Sequence, residues 1–76
     1  MKHTIKSDEL ADQQFQVQIA SGDTATGKRK RLVYIATYDM PNQGLIYVDW
    51  LVEGKLWQNE WAGTDGLEAI RRYNEL

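Results

Sequence analysis

The chain has 76 residues, of which 42% are hydrophobic and 26% charged, and its formal net charge is −2. This length and balance are typical of one small folded domain, and the hydrophobic share is too high for an intrinsically disordered chain. The chain contains no cysteine, which excludes disulfides, thiolate metal sites and cysteine nucleophiles. A single histidine cannot form a histidine-based metal site within one chain. We therefore expect no metal and no cofactor.

The first residues do not have the pattern of a targeting signal. Met1–Thr4 is not followed by an apolar run, so no secretory signal is predicted. No window approaches the roughly 18 apolar residues of a membrane span. The small negative net charge gives no overall attraction to anionic lipid or nucleic acid. We expect a cytoplasmic protein that does not contact membranes.

The pattern of apolar residues divides the chain into two parts. Residues 1–13 are mostly polar, and we expect a tail or a short helical turn there, with Ser7 as its cap. Residues 14–76 carry the periodic pattern of one folded domain. Four segments have the alternating or β-branched composition of strands: Gln14–Ile19, Leu32–Asp39, Leu45–Val52 and Lys55–Trp61.

Turn signals separate the last three of these segments. Pro41 suits the second position of a turn over Met40–Gln43, because its ring fixes φ near the value required there. Glu53-Gly54 predicts a two-residue hairpin turn, although glutamate is disfavoured at positive φ. These turns predict an antiparallel meander of four strands.

The end of the chain has the pattern of a helix. Asp65 and Glu68 fit a capping box, and the helix is predicted to run toward Asn74. Glu68 also precedes Arg71 and Arg72 at the spacing of helical ion pairs. The apolar stripe predicted to face the sheet is Leu67, Ile70 and Tyr73. The predicted fold class is therefore α+β, a small four-stranded antiparallel β-meander with one C-terminal α-helix packed on one face.

The two predicted turns set a register, and alternation then sorts the side chains onto two faces. The predicted core face carries Phe15, Val17, Ile19, Val33, Ile35, Ile46, Val48, Trp50, Trp57 and Trp61. The predicted outer face carries Leu32, Tyr34, Ala36, Tyr38, Leu45, Tyr47, Asp49, Leu51, Leu56, Gln58 and Glu60. Asn59 falls opposite Val48 on the core face, where it needs a hydrogen-bond partner or a bulge.

The predicted outer face is unusually apolar for a solvated sheet surface, and a contiguous apolar patch usually has a partner. The candidate partner-binding residues are Tyr34, Tyr38, Tyr47, Leu51 and Leu56. In this register Leu51 faces Leu56 across the hairpin. In an alternative interpretation, the tyrosines pack beneath the N-terminal segment, with Ile5 and Leu10 as a lid.

A run of basic residues offers a second candidate site. Its members are Lys28, Arg29, Lys30 and Arg31, which are candidates for contact with phosphates or with an acidic partner. The alternative, which we favour, is a solvated loop end whose charges offset nearby acids. The three tryptophans, Trp50, Trp57 and Trp61, are predicted to pack in the core rather than to stack on a ligand.

The residues do not indicate catalysis. The carboxylates are scattered along the chain, and the predicted register places Asp49 across from Tyr34 on an open sheet. That pairing is neither a nucleophile with a base nor an acid and base facing each other in a cleft. We predict that the protein is not an enzyme.

A meander followed by Thr64-Asp65-Gly66-Leu67-Glu68-Ala69 resembles, in outline, plant DNA-binding domains of the sheet-and-helix kind and the arm-binding domains of phage integrases. The resemblance implies a three-stranded sheet in the major groove with the helix behind it. The predicted outer face departs from that pattern, because tyrosine, leucine, Asp49 and Glu60 stand where those domains carry arginines.

The leading functional hypothesis is a small protein-binding module, acting as a regulator, inhibitor or accessory subunit. Its partner is another protein or a second copy of the chain, since a thin core gains from burying more surface on association. The alternative hypothesis is a nucleic-acid-binding module that uses Lys28 to Arg31.

Overall fold

The computed structural model describes residues 2–4, 6, 9 and 13–76. The strands are β1 (Gln14–Asp23), β2 (Arg29–Thr37), β3 (Met40–Val52) and β4 (Leu56–Gly63), and the C-terminal helix is α1 (Gly66–Glu75). The strands form one antiparallel sheet in the order β1-β2-β3-β4. The predicted α+β fold is confirmed. The proposed helical turn at Ser7 lies outside the described residues.

Helix α1 packs against β2, β3 and β4 on one side of the sheet, which we name the helix face. Leu32, Val48 and Ala69 are buried where the helix meets the sheet. The half-buried side chains around them are Ala20, Ile46, Trp61, Tyr73 and Leu76. The core is therefore one small cluster beneath α1.

The helix begins after Asp65, as the capping signal predicts, but the side chains that contact the sheet are not all the predicted ones. The Asp65 carboxylate accepts hydrogen bonds from the backbone N–H groups of Leu67 and Glu68, at 3.0 and 3.3 Å. Leu67 and Ile70 are 80% and 52% exposed, so the predicted stripe is wrong at both positions. The helix instead rests on Ala69, whose small side chain permits a close approach to the sheet.

The β2–β3 register differs from the prediction because the turn lies elsewhere. Thr37 pairs with Met40, so the chain reverses at Tyr38-Asp39 rather than within Met40–Gln43. Farther along, Leu32 lies opposite Val48, where the predicted turn places Ile35, so the register is shifted by three residues. An odd shift exchanges the two faces of β2 relative to β3. Leu32 therefore takes the core position opposite Val48 that Ile35 was predicted to hold.

A tyrosine hydroxyl stabilises the irregular start of β3 that this turn creates. The Tyr34 hydroxyl donates a hydrogen bond to the carbonyl oxygen of Pro41 (2.6 Å) and accepts one from the Gly44 N–H (2.9 Å). A Cβ atom at Gly44 would lie 2.6 Å from the Tyr34 ring and 2.7 Å from the Ala36 Cβ. Only glycine fits there, because the Tyr34 ring lies directly against the backbone.

The β3–β4 turn lies at Glu53-Gly54 as predicted, but three residues rather than two separate the strands, which therefore pair one residue out of the predicted register. Glu53 and Gly54 have φ values of 53° and 70°, and the Lys55 N–H donates to the Val52 carbonyl oxygen at 2.9 Å. Val52 pairs with Leu56 rather than with Lys55. Because of this one-residue shift, the side chains in the first half of β4 lie on the side of the sheet opposite to the predicted one.

Farther along β4, a β-bulge returns the side chains to the predicted sides of the sheet. Asp49 pairs with Asn59 and Val48 pairs with Trp61, so Glu60 is the extra residue. Trp61 thereby returns to the core beneath α1, as predicted. Trp57 lies before the bulge and faces away from the helix, so its predicted core position is wrong.

The sheet surface on the other side, which we name the opposite face, also contains buried side chains. Val33 is fully buried there and Asp49 is 6% exposed. It is therefore not a bare solvated surface. The proposed lid residues Ile5 and Leu10 lie outside the described residues.

Candidate protein-contact surface

Helix α1 covers only part of the helix face. Its 10 residues extend about 15 Å, whereas the 13 residues of β3 extend about 43 Å. Beyond the helix lies a group of side chains that we name the aromatic shelf. It consists of Phe15, Val17, Tyr34 and Tyr38.

The aromatic shelf is held together by ring contacts between neighbouring strands. The Phe15 ring centroid lies 5.0 Å from that of Tyr38 and 6.3 Å from that of Tyr34, both in tilted geometry. Val17 pairs directly with Tyr34 across the strands. Val17 is 49% exposed and Tyr38 is 48% exposed, while Phe15 and Tyr34 are half-buried. The shelf is an uncharged, partly exposed apolar surface.

The five predicted partner-binding residues do not share one surface, so the predicted outer face is wrong. Tyr34 and Tyr38 lie together in the aromatic shelf on the helix face. Tyr47 and Leu51 lie on the opposite face, paired with Val33 and Trp57. Leu56 is 73% exposed beside the β3–β4 turn and does not pair with Leu51. The register shifts described above separate these residues.

Phe15 and Val17 were missed as surface residues because the sequence pattern placed them in the core. The available signal was the ratio of helix length to strand length. The predicted helix toward Asn74 extends about 14 Å, whereas the predicted strand Leu45–Val52 extends about 26 Å, so the helix cannot cover the whole face.

The basic run is divided between the two faces by strand alternation. The Lys28 Nζ lies 4.7 Å from the centroid of a Trp50 ring on the helix face. The Lys30 Nζ lies 4.3 Å from the Tyr73 ring centroid and donates to the Tyr73 carbonyl oxygen at 2.8 Å. Arg29 is exposed and makes a long contact of 3.9 Å with Asp23.

Arg31, the last residue of the run, belongs to a polar network on the opposite face. Its Nε donates to Asp49 Oδ2 at 3.1 Å, and its guanidinium carbon lies 4.0 Å from the Trp57 ring centroid. Asn59 donates to Asp49 Oδ1 at 2.9 Å. Both oxygens of the buried carboxylate are therefore occupied. Asp49 pairs with Arg31, so its predicted position across from Tyr34 is wrong. The hydrogen-bond partner that Asn59 was predicted to need is the Asp49 carboxylate.

A shallow groove of about 380 Å³ lies between the β1–β2 loop and the end of α1. Its lining residues are Thr24, Ala25, Thr26, Lys28, Trp50, Glu60, Glu75 and Leu76. The Trp50 Nε1–H donates to Glu60 Oε2 at 3.2 Å. This arrangement fixes the indole and its carboxylate partner, but it does not place an acid and a base about a common reacting atom.

Within residues 2–4, 6, 9 and 13–76, no three His, Cys, Asp or Glu side chains are grouped to hold a metal ion. Over the same described part of the chain, no helix is long and apolar enough to cross a membrane. No protein-family model, curated protein or solved structure matches the chain.

Proposed function

We propose that the chain is a small non-enzymatic protein-binding module, a regulator, inhibitor or accessory subunit that contacts its partner through the aromatic shelf. The observation that carries the proposal is the half-exposure of Val17 and Tyr38 beside Phe15, on a face that α1 covers elsewhere. A cytoplasmic location is part of this proposal.

The chemistry of the shelf suits a protein partner. The centres of protein interfaces are depleted of charge and enriched in aromatic side chains, and tyrosine is frequent among the residues that dominate binding energy. The Tyr34 hydroxyl is hydrogen-bonded to the backbone at Pro41 and Gly44, which holds its ring in place. A ring that is already fixed loses little conformational entropy when a partner binds.

The nucleic-acid alternative has less support from the geometry. Lys28, Lys30 and Arg31 each lie against an aromatic ring of the same chain and are divided between two faces. Binding through this run would require retention on DNA or RNA that weakens steeply with salt. The absence of retention at low salt would remove this alternative.

The proposal is tested by quantitative capture from a lysate of the source cell with tagged wild-type protein, Tyr38→Asp and the control Leu67→Asp. Leu67 is 80% exposed on the helix and lies outside the shelf. We expect wild type and the control to capture the same protein, and Tyr38→Asp to recover at least about tenfold less, since a buried interfacial charge without a partner costs more than about 1.4 kcal/mol. Circular dichroism checks that all three proteins are folded. Equal capture by Tyr38→Asp, or no capture by wild type, would overturn the proposal.

A further inference from the structure

Strand β1 is an edge of the sheet, and among the described residues no strand pairs with its outer side. The five residues of this edge that precede its bulge, Gln14–Gln18, carry no charged side chain and include no proline. Edge strands are normally protected by charges, proline or bulges, because their unpaired N–H and C=O groups can bind another strand. The edge at β4 has such protection, with Glu60 at its bulge.

The first half of β1 is symmetric in its side-chain pattern. Gln14-Phe15-Gln16-Val17-Gln18 reads as polar and apolar residues mirrored about Gln16. If a second antiparallel strand of the same sequence is centred on Gln16, Phe15 faces Val17 of the second copy and Gln14 faces Gln18. Aromatic and β-branched residues form favourable cross-strand pairs, and no like charges meet. The segment is complementary to itself.

The bulge in β1 reduces the number of registers in which this pairing can form. Gln18 pairs with Val33 and Ala20 pairs with Leu32, so Ile19 is the extra residue and the regular edge ends at Gln18. A short edge that ends in a bulge permits fewer alternative registers than a long flat one.

We propose that a second copy of the chain pairs antiparallel with the β1 edge, centred on Gln16, to form a continuous eight-stranded sheet. The two copies are related by a two-fold axis perpendicular to the sheet, so the helix faces of both copies lie on the same side of the eight-stranded sheet. Both aromatic shelves therefore join on one face, with Phe15 and Val17 at the centre. This inference rests on the proposed function, because it names a second copy as the protein partner that contacts the shelf, at Phe15 and Val17.

The expected dimer is reversible. The paired edge of five residues is about 17 Å long, which is small beside the interfaces of permanent dimers. A two-fold contact of this kind uses the same patch on both copies and closes on itself, so the assembly stops at two.

The chain contains no cysteine, which allows a direct test by disulfide cross-linking. In the proposed register the two Gln16 positions face each other, with Cα atoms about 4.5 to 5.5 Å apart, within the range that a disulfide spans. The matched control is Gln18→Cys, because the two Gln18 positions are about 14 Å apart along the strands, well beyond disulfide reach. Under mild oxidation we expect Gln16→Cys to form a covalent dimer and Gln18→Cys to remain monomeric.

Sedimentation analysis over a concentration series gives a second readout without cysteine. We expect the mass of the wild type to rise toward that of a dimer, Val17→Asp to stay monomeric, and Leu56→Asp, on the other edge, to follow the wild type. The inference is overturned by a wild-type monomer at all concentrations, by a dimer that Val17→Asp leaves intact, or by equal cross-linking of the two cysteine variants. A monomer that still captures another protein through Tyr38 would overturn only the second copy as partner, and not the proposed function.

Discussion

The ammonium group of Lys30 donates a hydrogen bond to the carbonyl oxygen of Tyr73 at 2.8 Å and lies 4.3 Å from the centroid of the same residue's ring. Lys30 lies at the start of β2, and Tyr73 lies in the last turn of α1. The carbonyl groups of a last helical turn lack partners within the helix, and a cation is favoured there. One basic side chain thus stabilises the end of the helix and fixes it to the sheet.

The first prediction concerns this contact. Lys30→Met removes a charged hydrogen bond and a cation–π contact but keeps the aliphatic stem, so it is expected to lower the free energy of unfolding by about 1.5 to 3 kcal/mol. Urea denaturation measures the change. The control is Arg29→Met, whose exposed ion pair is expected to contribute less than about 1 kcal/mol. Equal effects of the two substitutions would contradict the structural role of Lys30.

The second prediction concerns the buried carboxylate of Asp49. Asp49→Ala leaves the largely buried Arg31 guanidinium without its carboxylate partner and removes one of the two hydrogen bonds that the Asn59 amide donates. Removing one member of a buried ion pair is expected to lower the free energy of unfolding by about 3 kcal/mol or more. The corresponding change at the exposed pair, Asp23→Ala, is expected to lie within about 1 kcal/mol of wild type. A near-neutral Asp49→Ala in the same denaturation assay would show that the network contributes little.

The third prediction concerns the pH dependence of α1. Hydrogen bonds from the Arg71 and Arg72 guanidinium groups lower the pKa of Glu68 from its ordinary value of 4.5 to about 2. Because the folded-state pKa is depressed, the stabilisation is present above about pH 4.5 and is lost as the pH falls through 2. The melting temperature of Glu68→Gln should therefore lie below that of wild type at pH 7, and the two should converge near pH 2. A difference that stays constant across this range would contradict the assignment.

The fourth prediction concerns the glycine beneath the Tyr34 ring. Gly44→Ala places a Cβ atom inside contact distance of Tyr34 and Ala36, so it is expected to destabilise the fold by about 1 to 3 kcal/mol. The control is Gly66→Ala at the start of α1, where a Cβ atom meets nothing within 4 Å. Thermal denaturation should separate the two variants clearly. Equal melting temperatures would mean that the start of β3 adapts without strain.

The existence, type and order of the elements were predictable because local periodicity determines them. The alternation in β1, the Glu53-Gly54 turn and the Asp65 cap all involve residues near one another in sequence. The register was not predictable because it depends on the Tyr34 hydroxyl, which binds backbone groups 7 and 10 residues away. That contact favours a reversal at Tyr38-Asp39 over the turn suggested by Pro41.

The residues of the candidate site were likewise predictable only in part, because their positions depend on contacts between residues distant in sequence. Tyr34 and Tyr38 were predicted as contact residues from tyrosine chemistry and from their alternation with Val33 and Ile35 along one strand. Their separation from Tyr47 and Leu51 follows from register shifts of three residues and of one residue, which local sequence patterns do not predict. Phe15 and Val17 joined the site only when the extent of the helix on the sheet was known.

The aromatic shelf is the surface through which we propose that the chain binds protein. The most direct measurement is the amount of partner that Tyr38→Asp recovers from a lysate, relative to the folded control Leu67→Asp. We predict a loss of about tenfold or more for Tyr38→Asp alone, because a charge without a partner would be buried at the interface. Equal recovery by the two variants would contradict the claim.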